Sequence, residues 1–202
     1  MIDIDKSNGL WTVTLNRPDK ANALTTEMLE ELVTIAEDAT EARGFILTGT
    51  GKVFSAGADL DAAKAGLATS DVWERLSSAI AMIPCLTIAA LNGTLAGGAN
   101  GMALACDIRI AVPTAKIFYP VMKLGYRPQP SDPIRMSTLI GPSRTKLVLM
   151  AGQKITAQDA LTYGLIDKIV KPDDLIATAH ELLKDSVAAD PQLVQEIKAM
   201  ID

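Results

Sequence analysis

The sequence predicts a single α/β domain, and three observations support that prediction. Apolar residues recur alternately at strand spacing and at helical spacing from the N-terminus to residue 112. Glycines and prolines separate these segments, and the chain contains no repeat, low-complexity tract or linker. The 202 residues are 49% hydrophobic and 21% charged, which is the composition of an ordinary globular domain with a sizeable core.

Strand and helix patterns alternate through the first half of the chain. Asn8-Gly9 divides an alternating apolar segment, which is typical of a β-hairpin. In the segments that follow, alternating or short continuous apolar residues indicate strands, and apolar residues spaced 3.6 positions apart indicate helices. In order, the predicted elements are a helix over 25–41, a strand over 44–49, a helix over 70–83, a strand over 86–91, a helix over 97–105 and a strand over 107–112.

The last third of the chain is predicted to be mostly helical. The Asp-Pro pair at 132–133 predicts a helix N-cap followed by the first helical residue, and the Gly-Pro pair at 141–142 predicts the end of that helix. Thr156 and Asp159 have the spacing of a capping box for a helix that ends at Gly164. A short strand and terminal helices complete the expected α/β domain.

Charge and cysteine content exclude several classes of protein. The formal net charge of -5 provides no basic surface for sequence-independent nucleic-acid binding. No charged residue occurs from Leu76 to Cys106, but Pro84 and several glycines interrupt this segment, so we do not expect a membrane span. The two cysteines lie in apolar stretches and are expected to be buried, reduced thiols. We therefore expect a cytoplasmic protein with no nucleic-acid, membrane or metal partner.

Two glycine turns are the strongest indication of chemistry. One lies in FSAGADL at 54–60 and the other is Gly97-Gly98, and each follows a predicted strand and precedes a helix. A helix N-terminus reached through glycine presents backbone N–H groups to an anion. Two such N–H groups from separate turns would stabilise negative charge on an acyl or thioester oxygen.

Nucleotide-binding motifs explain these turns less well. A phosphate-binding loop would end in Gly-Lys-Ser/Thr, which is absent, and residue 96 is alanine where a dinucleotide fingerprint needs its first glycine. The acidic residue expected about 20 residues later in that fingerprint is also missing. Tight turns without a ligand remain the simplest alternative for either turn taken alone.

Four segments in a fixed order resemble the crotonase superfamily, the enoyl-CoA hydratase/isomerase family. They are TLNRPDKANAL, FSAGADL, LNGTLAGGANGMALACDIRIA and GQKITAQDALTYGLIDKIV, and the resemblance extends from about residue 10 to residue 172. It implies a spiral of ββα units with a helical C-terminal part. The expected single crotonase-like domain spans 1–202, with a spiral core over 1–152 and a C-terminal helical segment over 153–202. The resemblance also implies a homotrimer or a dimer of trimers.

The resemblance further implies an acyl-CoA substrate, with coenzyme A entering as part of the substrate and no cofactor tightly bound. By motif position, the N–H groups of Ala58 and Gly98 would hold the thioester oxygen. Asp59 would also serve as a local cap. The residues expected near the nucleotide of coenzyme A are Lys20, Ala21, Ala23, Ala56 and Asp59.

The catalytic acids of the family are where this chain departs from the pattern. The resemblance places the two hydratase glutamates at Gly101 and Val121, neither of which can exchange a proton. Relatives with a single carboxylate carry it at a position that corresponds to Gln129. Asp132 is the nearest acid and therefore the candidate general base, although a helix N-cap is a strong alternative. Contacts from Tyr126 and Arg127 to the acyl group are a weaker possibility.

Three functions follow from these observations. The first is an isomerase-type enzyme that stabilises a thioester enolate and relocates a proton through Asp132. The second is a non-catalytic acyl-CoA-binding protein, because both hydratase acids are missing, and the third is an acyl-CoA thioester hydrolase. Asp107 is expected to support a turn and His180 to lie at the surface. Because the chain ends soon after residue 190, any cover over the acyl pocket is expected from a partner subunit or to be absent.

Overall fold

Ten strands are present in the computed structural model, which describes residues 1–201. The strands of four to six residues and one two-residue strand near the C-terminus form one sheet, and the other short strands form a second sheet. The strands are β1 (Ile2–Ser7), β2 (Leu10–Leu15), β3 (Gly44–Gly49), β4 (Val53–Ser55), β5 (Leu86–Leu91), β6 (Thr94–Ala96), β7 (Ile108–Ala111), β8 (Lys116–Phe118), β9 (Ile155–Thr156) and β10 (Lys168–Ile169).

Helices follow most of the short strands and form the C-terminal part of the described chain. Their order confirms the alternation of strands and helices that the sequence predicts, with boundaries within a few residues. The helices are α1 (Thr26–Asp38), α2 (Leu60–Lys64), α3 (Val72–Ala81), α4 (Ala99–Ala105), α5 (Val121–Leu124), α6 (Ser131–Leu149), α7 (Ala157–Tyr163), α8 (Leu175–Ala188) and α9 (Pro191–Ala199).

The larger sheet has six strands in the order β1-β2-β3-β5-β7-β10, and all of its pairs except β1-β2 are parallel. The smaller sheet has the order β4-β6-β8-β9, with only β9 antiparallel to its neighbour. A long strand, a short strand and a helix therefore recur as β3-β4-α2, β5-β6-α4 and β7-β8-α5. This recurrence is the predicted spiral of ββα units.

Local sequence chemistry explains how the domain begins. Asn8 and Gly9 have φ angles of 54° and 79°, so they form the left-handed two-residue turn that joins β1 to β2. The Thr25 side chain accepts a hydrogen bond from the Met28 N–H and begins α1. The apolar face of α1, which includes Met28, Leu29 and Leu32, is then buried in the hydrophobic core.

The middle of the larger sheet is the most deeply buried part of the fold. Ile46 on β3, Ile88 on β5 and Ile110 on β7 have no exposed surface. Strands covered on both faces need apolar side chains on both faces, which explains the continuous hydrophobic segments in the sequence. Cys85 and Cys106 are buried free thiols, and burial raises their pKa values to about 11 and about 12.

The start of α6 differs from the sequence prediction. The helix begins at Ser131 after Pro130, so Asp132 lies inside the first turn and its side chain makes no capping bond. The N-cap interpretation of Asp132 is therefore wrong, because this carboxyl contacts the interior of the domain instead of its own helix. The predicted break at 141–142 is present, with Gly141 at φ 77° inside α6.

The C-terminal elements combine a local signal with long-range contacts. Thr156 and Asp159 form the predicted capping box of α7, which ends at Gly164 in the left-handed conformation. Asp107 supports the start of β5 by accepting a bond from the Thr87 N–H at 2.8 Å, and Lys198 of α9 binds the same carboxylate at 2.8 Å.

His180 is exposed, as expected. Within residues 1–201, no helix has the length and apolar character needed to cross a membrane.

Candidate functional site

The two glycine turns contact each other through their backbones. Gly57 follows β4 and Gly97 follows β6, which are neighbouring strands of the smaller sheet. A methyl group on Gly57 would lie 2.9 Å from the Ala96 carbonyl oxygen and 3.4 Å from the Gly97 Cα. The φ angles of Gly57 and Gly97 are +89° and +58°. Close approach and left-handed backbone therefore both require glycine at Gly57.

The residue after each of these glycines has an unpaired backbone N–H. Within residues 1–201, neither the N–H of Ala58 nor that of Gly98 donates a hydrogen bond. Both residues are half-buried. Since Gly57 and Gly97 are in contact, the two predicted donors follow adjacent points of the backbone. The structure thus brings Ala58 and Gly98 into one region, while their binding of a thioester oxygen stays a prediction.

The residues predicted near a nucleotide also come together. The Ala56 N–H donates to the Ala21 carbonyl at 3.0 Å, which joins the loop after β2 to the turn after β4. Ala21 is in the left-handed conformation at the end of a 3₁₀ turn, and Lys20 beside it is exposed. Ala56 is exposed as well. Lys20, with its cationic side chain, and Ala56 are therefore exposed on neighbouring segments.

Asp59 is held by a partner that sequence reasoning missed. The Arg17 guanidinium donates to Asp59 Oδ2 at 2.8 Å and to the Ala23 carbonyl at 3.0 Å. Asp59 Oδ1 accepts from the Asp61 N–H at 3.0 Å and begins α2, which confirms its role as a local cap. The bond from Arg17, followed by the backbone donors, lowers the Asp59 pKa. Asp59 is thus a support of this loop whose charge is already compensated.

A buried asparagine organises the same loop. Asn22 has no exposed surface, and its left-handed φ of 51° is one that asparagine tolerates better than most residues. Its side chain accepts from the Arg17 N–H at 2.8 Å and donates to the Val53 carbonyl at 2.7 Å. The Asn22 side chain therefore fixes the loop against β4 without being available to a ligand.

Asp132 is buried against α4, the helix that follows the second glycine turn. It has 0% exposure, and its Oδ2 accepts a hydrogen bond from the Tyr119 hydroxyl at 2.8 Å. Its Oδ1 is buried and has no hydrogen-bond partner within residues 1–201. A methyl group on Gly101 would lie 2.8 Å from this Oδ1. The carboxyl therefore occupies the space that a side chain at position 101 would need.

The electrostatic environment gives Asp132 an unusual proton affinity. Burial is the largest effect and raises the pKa of Asp132 to about 6, while the hydrogen bond from Tyr119 opposes that rise. The charge of Glu74 raises the Asp132 pKa further, and that of Arg135 lowers it. Burial and the neighbouring Asp132 raise the pKa of Tyr119, so this phenol stays protonated. Asp132 is therefore able to gain or lose a proton near neutral pH.

Helix α3 contacts both the second glycine turn and the start of α6. A methyl on Gly98 would lie 3.1 Å from the ring of Trp73, so this ring packs directly on the glycine. The neighbouring Glu74 accepts from the Ser131 N–H at 3.2 Å and also pairs with the Ser131 hydroxyl. These contacts fix the residue before Asp132 relative to the glycine turn.

Comparison with known proteins identifies the family. Residues 5–202 match the sequence model described as Enoyl-CoA hydratase/isomerase. The chain belongs to the enoyl-CoA hydratase/isomerase family.

Relatives and solved structures of this enoyl-CoA hydratase/isomerase family match nearly the whole chain. The short-chain-enoyl-CoA hydratase of Clostridium acetobutylicum is 34% identical over 212 residues, covering 98% of this chain and 80% of that protein. Human ethylmalonyl-CoA decarboxylase is 27% identical over 214 residues, covering 99% and 69%. The crystal structure of an enoyl-CoA hydratase from Bacillus anthracis has a TM-score of 0.88 and 32% identity, covering 99% of this chain and 81% of that chain. This chain therefore has the crotonase fold and belongs to a family of proteins that process acyl-CoA.

The two positions where the hydratase pattern expects glutamates carry no acid in this member of the enoyl-CoA hydratase/isomerase family. Val121 is buried at the start of α5, and Gly101 is buried in α4, so neither position provides a carboxylate. Tyr126 is 42% exposed and Arg127 is exposed, on the loop that also carries Gln129. Asp132 is the acid that the fold brings against α4. Within the described residues, no three His, Cys, Asp or Glu side chains form a group that could hold a metal ion.

Proposed function

We propose that the protein is an enzyme that holds an acyl-CoA thioester oxygen between the N–H groups of Ala58 and Gly98 and relocates a substrate proton through Asp132. One observation carries this proposal. The Asp132 carboxyl is buried with an unpaired oxygen directed at Gly101, three residues after the donor Gly98. Gly101 lies about one helical turn after Gly98 at the start of α4, so the base and the donor would border a ligand bound at this helix start.

The backbone donors would supply the electrostatic part of catalysis. Removal of a proton beside a thioester carbonyl leaves an electron pair that is shared with the carbonyl oxygen as an enolate. Preorganised N–H groups aimed at that oxygen lower the energy of the enolate and of the transition state that leads to it. The unpaired N–H groups of Ala58 and Gly98 support this role, because each could donate to an oxygen without breaking an existing hydrogen bond.

Asp132 would supply the proton transfer. With a pKa raised to about 6, this side chain is mainly a carboxylate at pH 7 and still a far better base than an ordinary aspartate. Water addition in the relatives uses two glutamates, whereas this site has one carboxyl, with glycine and valine at the expected positions. Isomerase-type relocation of a double bond needs only one group that accepts and returns a proton. It is therefore favoured over hydration.

The coenzyme A part of the substrate would extend from the glycine turns across the loop at Lys20. Lys20 and the neighbouring backbone of Ala21, Ala23 and Ala56 would contact its nucleotide, with Asp59 supporting the loop. The family resemblance favours a homotrimer or a dimer of trimers. The net charge of -5 and the buried thiols favour a cytoplasmic protein without nucleic-acid or membrane partners.

Turnover of short enoyl-CoA thioesters by the purified protein tests this function. Asp132→Asn should lower kcat for double-bond isomerisation by about 10²–10⁴-fold and leave KM within a few-fold, since general base catalysis contributes about that much. Asp185→Asn, which makes the same change on exposed α8, is the matched control and should leave kcat unchanged.

Other outcomes would identify the alternatives. Faster hydration than isomerisation, or an unchanged kcat in Asp132→Asn, would contradict the proposal. Tight acyl-CoA binding without turnover across the panel would indicate a non-catalytic binding protein. Release of free coenzyme A would indicate a thioester hydrolase.

A further inference from the structure

We propose that Tyr119 is a positioning residue that makes Oδ1 of Asp132 the single proton-carrying oxygen of the site. The inference rests on the proposed function, because it assigns a proton-transfer atom to the same carboxyl. Tyr119 itself touches Asp132 and is not placed against the reacting atoms. The family resemblance assigned no role to this residue.

The hydrogen-bond geometry distinguishes the two carboxyl oxygens. Tyr119 is 5% exposed, and its hydroxyl donates to Asp132 Oδ2 at 2.8 Å. The phenol stays protonated because burial and the adjacent negative charge raise its pKa. A buried donor without an acceptor is costly, so this hydroxyl holds Oδ2 as an acceptor in both protonation states of Asp132. An incoming proton therefore binds Oδ1.

Oδ1 is the carboxyl oxygen that remains free to take a proton. Oδ1 has no partner within residues 1–201 and faces the Cα of Gly101, three residues after Gly98. When substrate is bound, a C–H bond beside the carbonyl breaks, its electron pair remains in the substrate as the enolate, and the proton binds Oδ1. Oδ1 then returns this proton to another carbon of the same enolate. Atoms and electrons balance with no added water or oxidant.

The backbone around Tyr119 explains why this hydroxyl has a fixed position. Tyr119 follows β8, whose last residue, Phe118, accepts bonds from the Gly97 N–H at 3.2 Å and the Asn100 side chain at 3.1 Å. The Val121 N–H donates to the Tyr119 carbonyl at 2.8 Å. The backbone before Tyr119 is thus bonded to the same turn that contains the donor Gly98. The Tyr119 hydroxyl is therefore held in a fixed position beside Asp132.

Three titratable or charged groups act on Asp132 from the elements around it. Tyr119 after β8 stabilises the carboxylate by hydrogen bonding, Glu74 on α3 destabilises it, and Arg135 on α6 stabilises it. Helix α4 presents Gly101 to the carboxyl and adds no charge. Removal of the Tyr119 hydroxyl therefore leaves one repulsive and one attractive charge, and the carboxylate loses its only direct donor.

Tyr119→Phe tests the inference directly. The pKa of Asp132, measured by ¹³C NMR on ligand-free protein labelled at aspartate carboxyls, should rise by about 1, because a hydrogen bond to the charged form is lost. In turnover assays, kcat should fall by about tenfold with KM unchanged, and the acidic limb of the kcat profile should move to higher pH. Tyr163→Phe removes a hydroxyl elsewhere, beside Arg144, and should change neither quantity.

A second measurement uses the unsubstituted chain and does not depend on how the variant folds. The Tyr119 hydroxyl proton should give a slowly exchanging NMR resonance that titrates with the same midpoint as the Asp132 carboxyl carbon. An unchanged Asp132 pKa in folded Tyr119→Phe, or a hydroxyl resonance that does not follow Asp132, would overturn the inference. If the Asp132 pKa rises while no acyl-CoA is turned over, the positioning role is supported and the proposed function fails.

Discussion

Alanine at position 101 should have opposite effects on stability, depending on whether Asp132 is present. In a helix interior, replacement of glycine by alanine stabilises the fold by about 1 kcal/mol. Here, however, the new methyl would lie 2.8 Å from Asp132 Oδ1 and 3.3 Å from Oδ2, closer than the 3.4 Å at which ordinary contact begins. The carboxyl must move, which strains the bond to Tyr119.

The magnitude follows from these opposing effects. A hydrogen bond to a charged group contributes about 1.5–3 kcal/mol, and partial loss of it outweighs the gain in helix propensity. We expect Gly101→Ala to lower the free energy of unfolding by about 1 kcal/mol in the natural sequence. In an Asp132→Ala background the same change should raise it by about 1 kcal/mol, because the space is then free.

A double-mutant cycle measures this coupling. Urea denaturation of the natural chain, both single variants and the double variant gives four free energies of unfolding, whose coupling should be about 2 kcal/mol. An effect of Gly101→Ala that is equal in the two backgrounds would refute the placement of Asp132 against α4. The proposed base would then lose its structural support.

Two further predictions depend on the burial of Asp132. The pKa of Asp132 is raised to about 6 in the folded state, so protonation of this carboxyl stabilises the fold. This contribution to the free energy of unfolding is present at low pH and is lost as pH rises through 6. From pH 7 to pH 4, the free energy of unfolding of the natural chain should increase by about 2 kcal/mol relative to that of Asp132→Asn. Denaturation at each pH checks this, and a constant difference would count against the raised pKa. During isomerisation in D₂O, most of the transferred hydrogen in the product should remain protium, because solvent does not reach Asp132, which has 0% exposure. Complete deuterium incorporation, measured by mass spectrometry, would be the contrary result.

Local chemistry explains which parts of the fold could be predicted from sequence. The hairpin at Asn8-Gly9 and the capping box of α7 depend on residues within a few positions of one another, and both predictions are confirmed. The four short strands of the smaller sheet were not identified, because two or three residues are too few to show an apolar period. Their pairing is long-range and depends on the spiral as a whole.

The candidate site shows the same division between local and long-range information. The strand–glycine–helix pattern identified the two glycine turns, and the structure joins them through Gly57 and Gly97. The Asp-Pro pair at 132–133 carries a strong local signal for a helix cap, but burial beside Tyr119 determines its actual environment. Nothing in the sequence near Asp132 indicates contact with Gly101, 31 positions earlier in the printed chain. Only the packing of α6 on α4 reveals it.

The contact between Gly57 and Gly97 has a consequence for how new activities can arise on this scaffold. The nearest atoms at this contact belong to the main chain of the two turns. Exchange of an acidic side chain on α4 or α6 therefore makes no direct change in this contact. Under the proposed function, the acid of the site can change its position in the sequence while the proposed oxygen-binding backbone is retained.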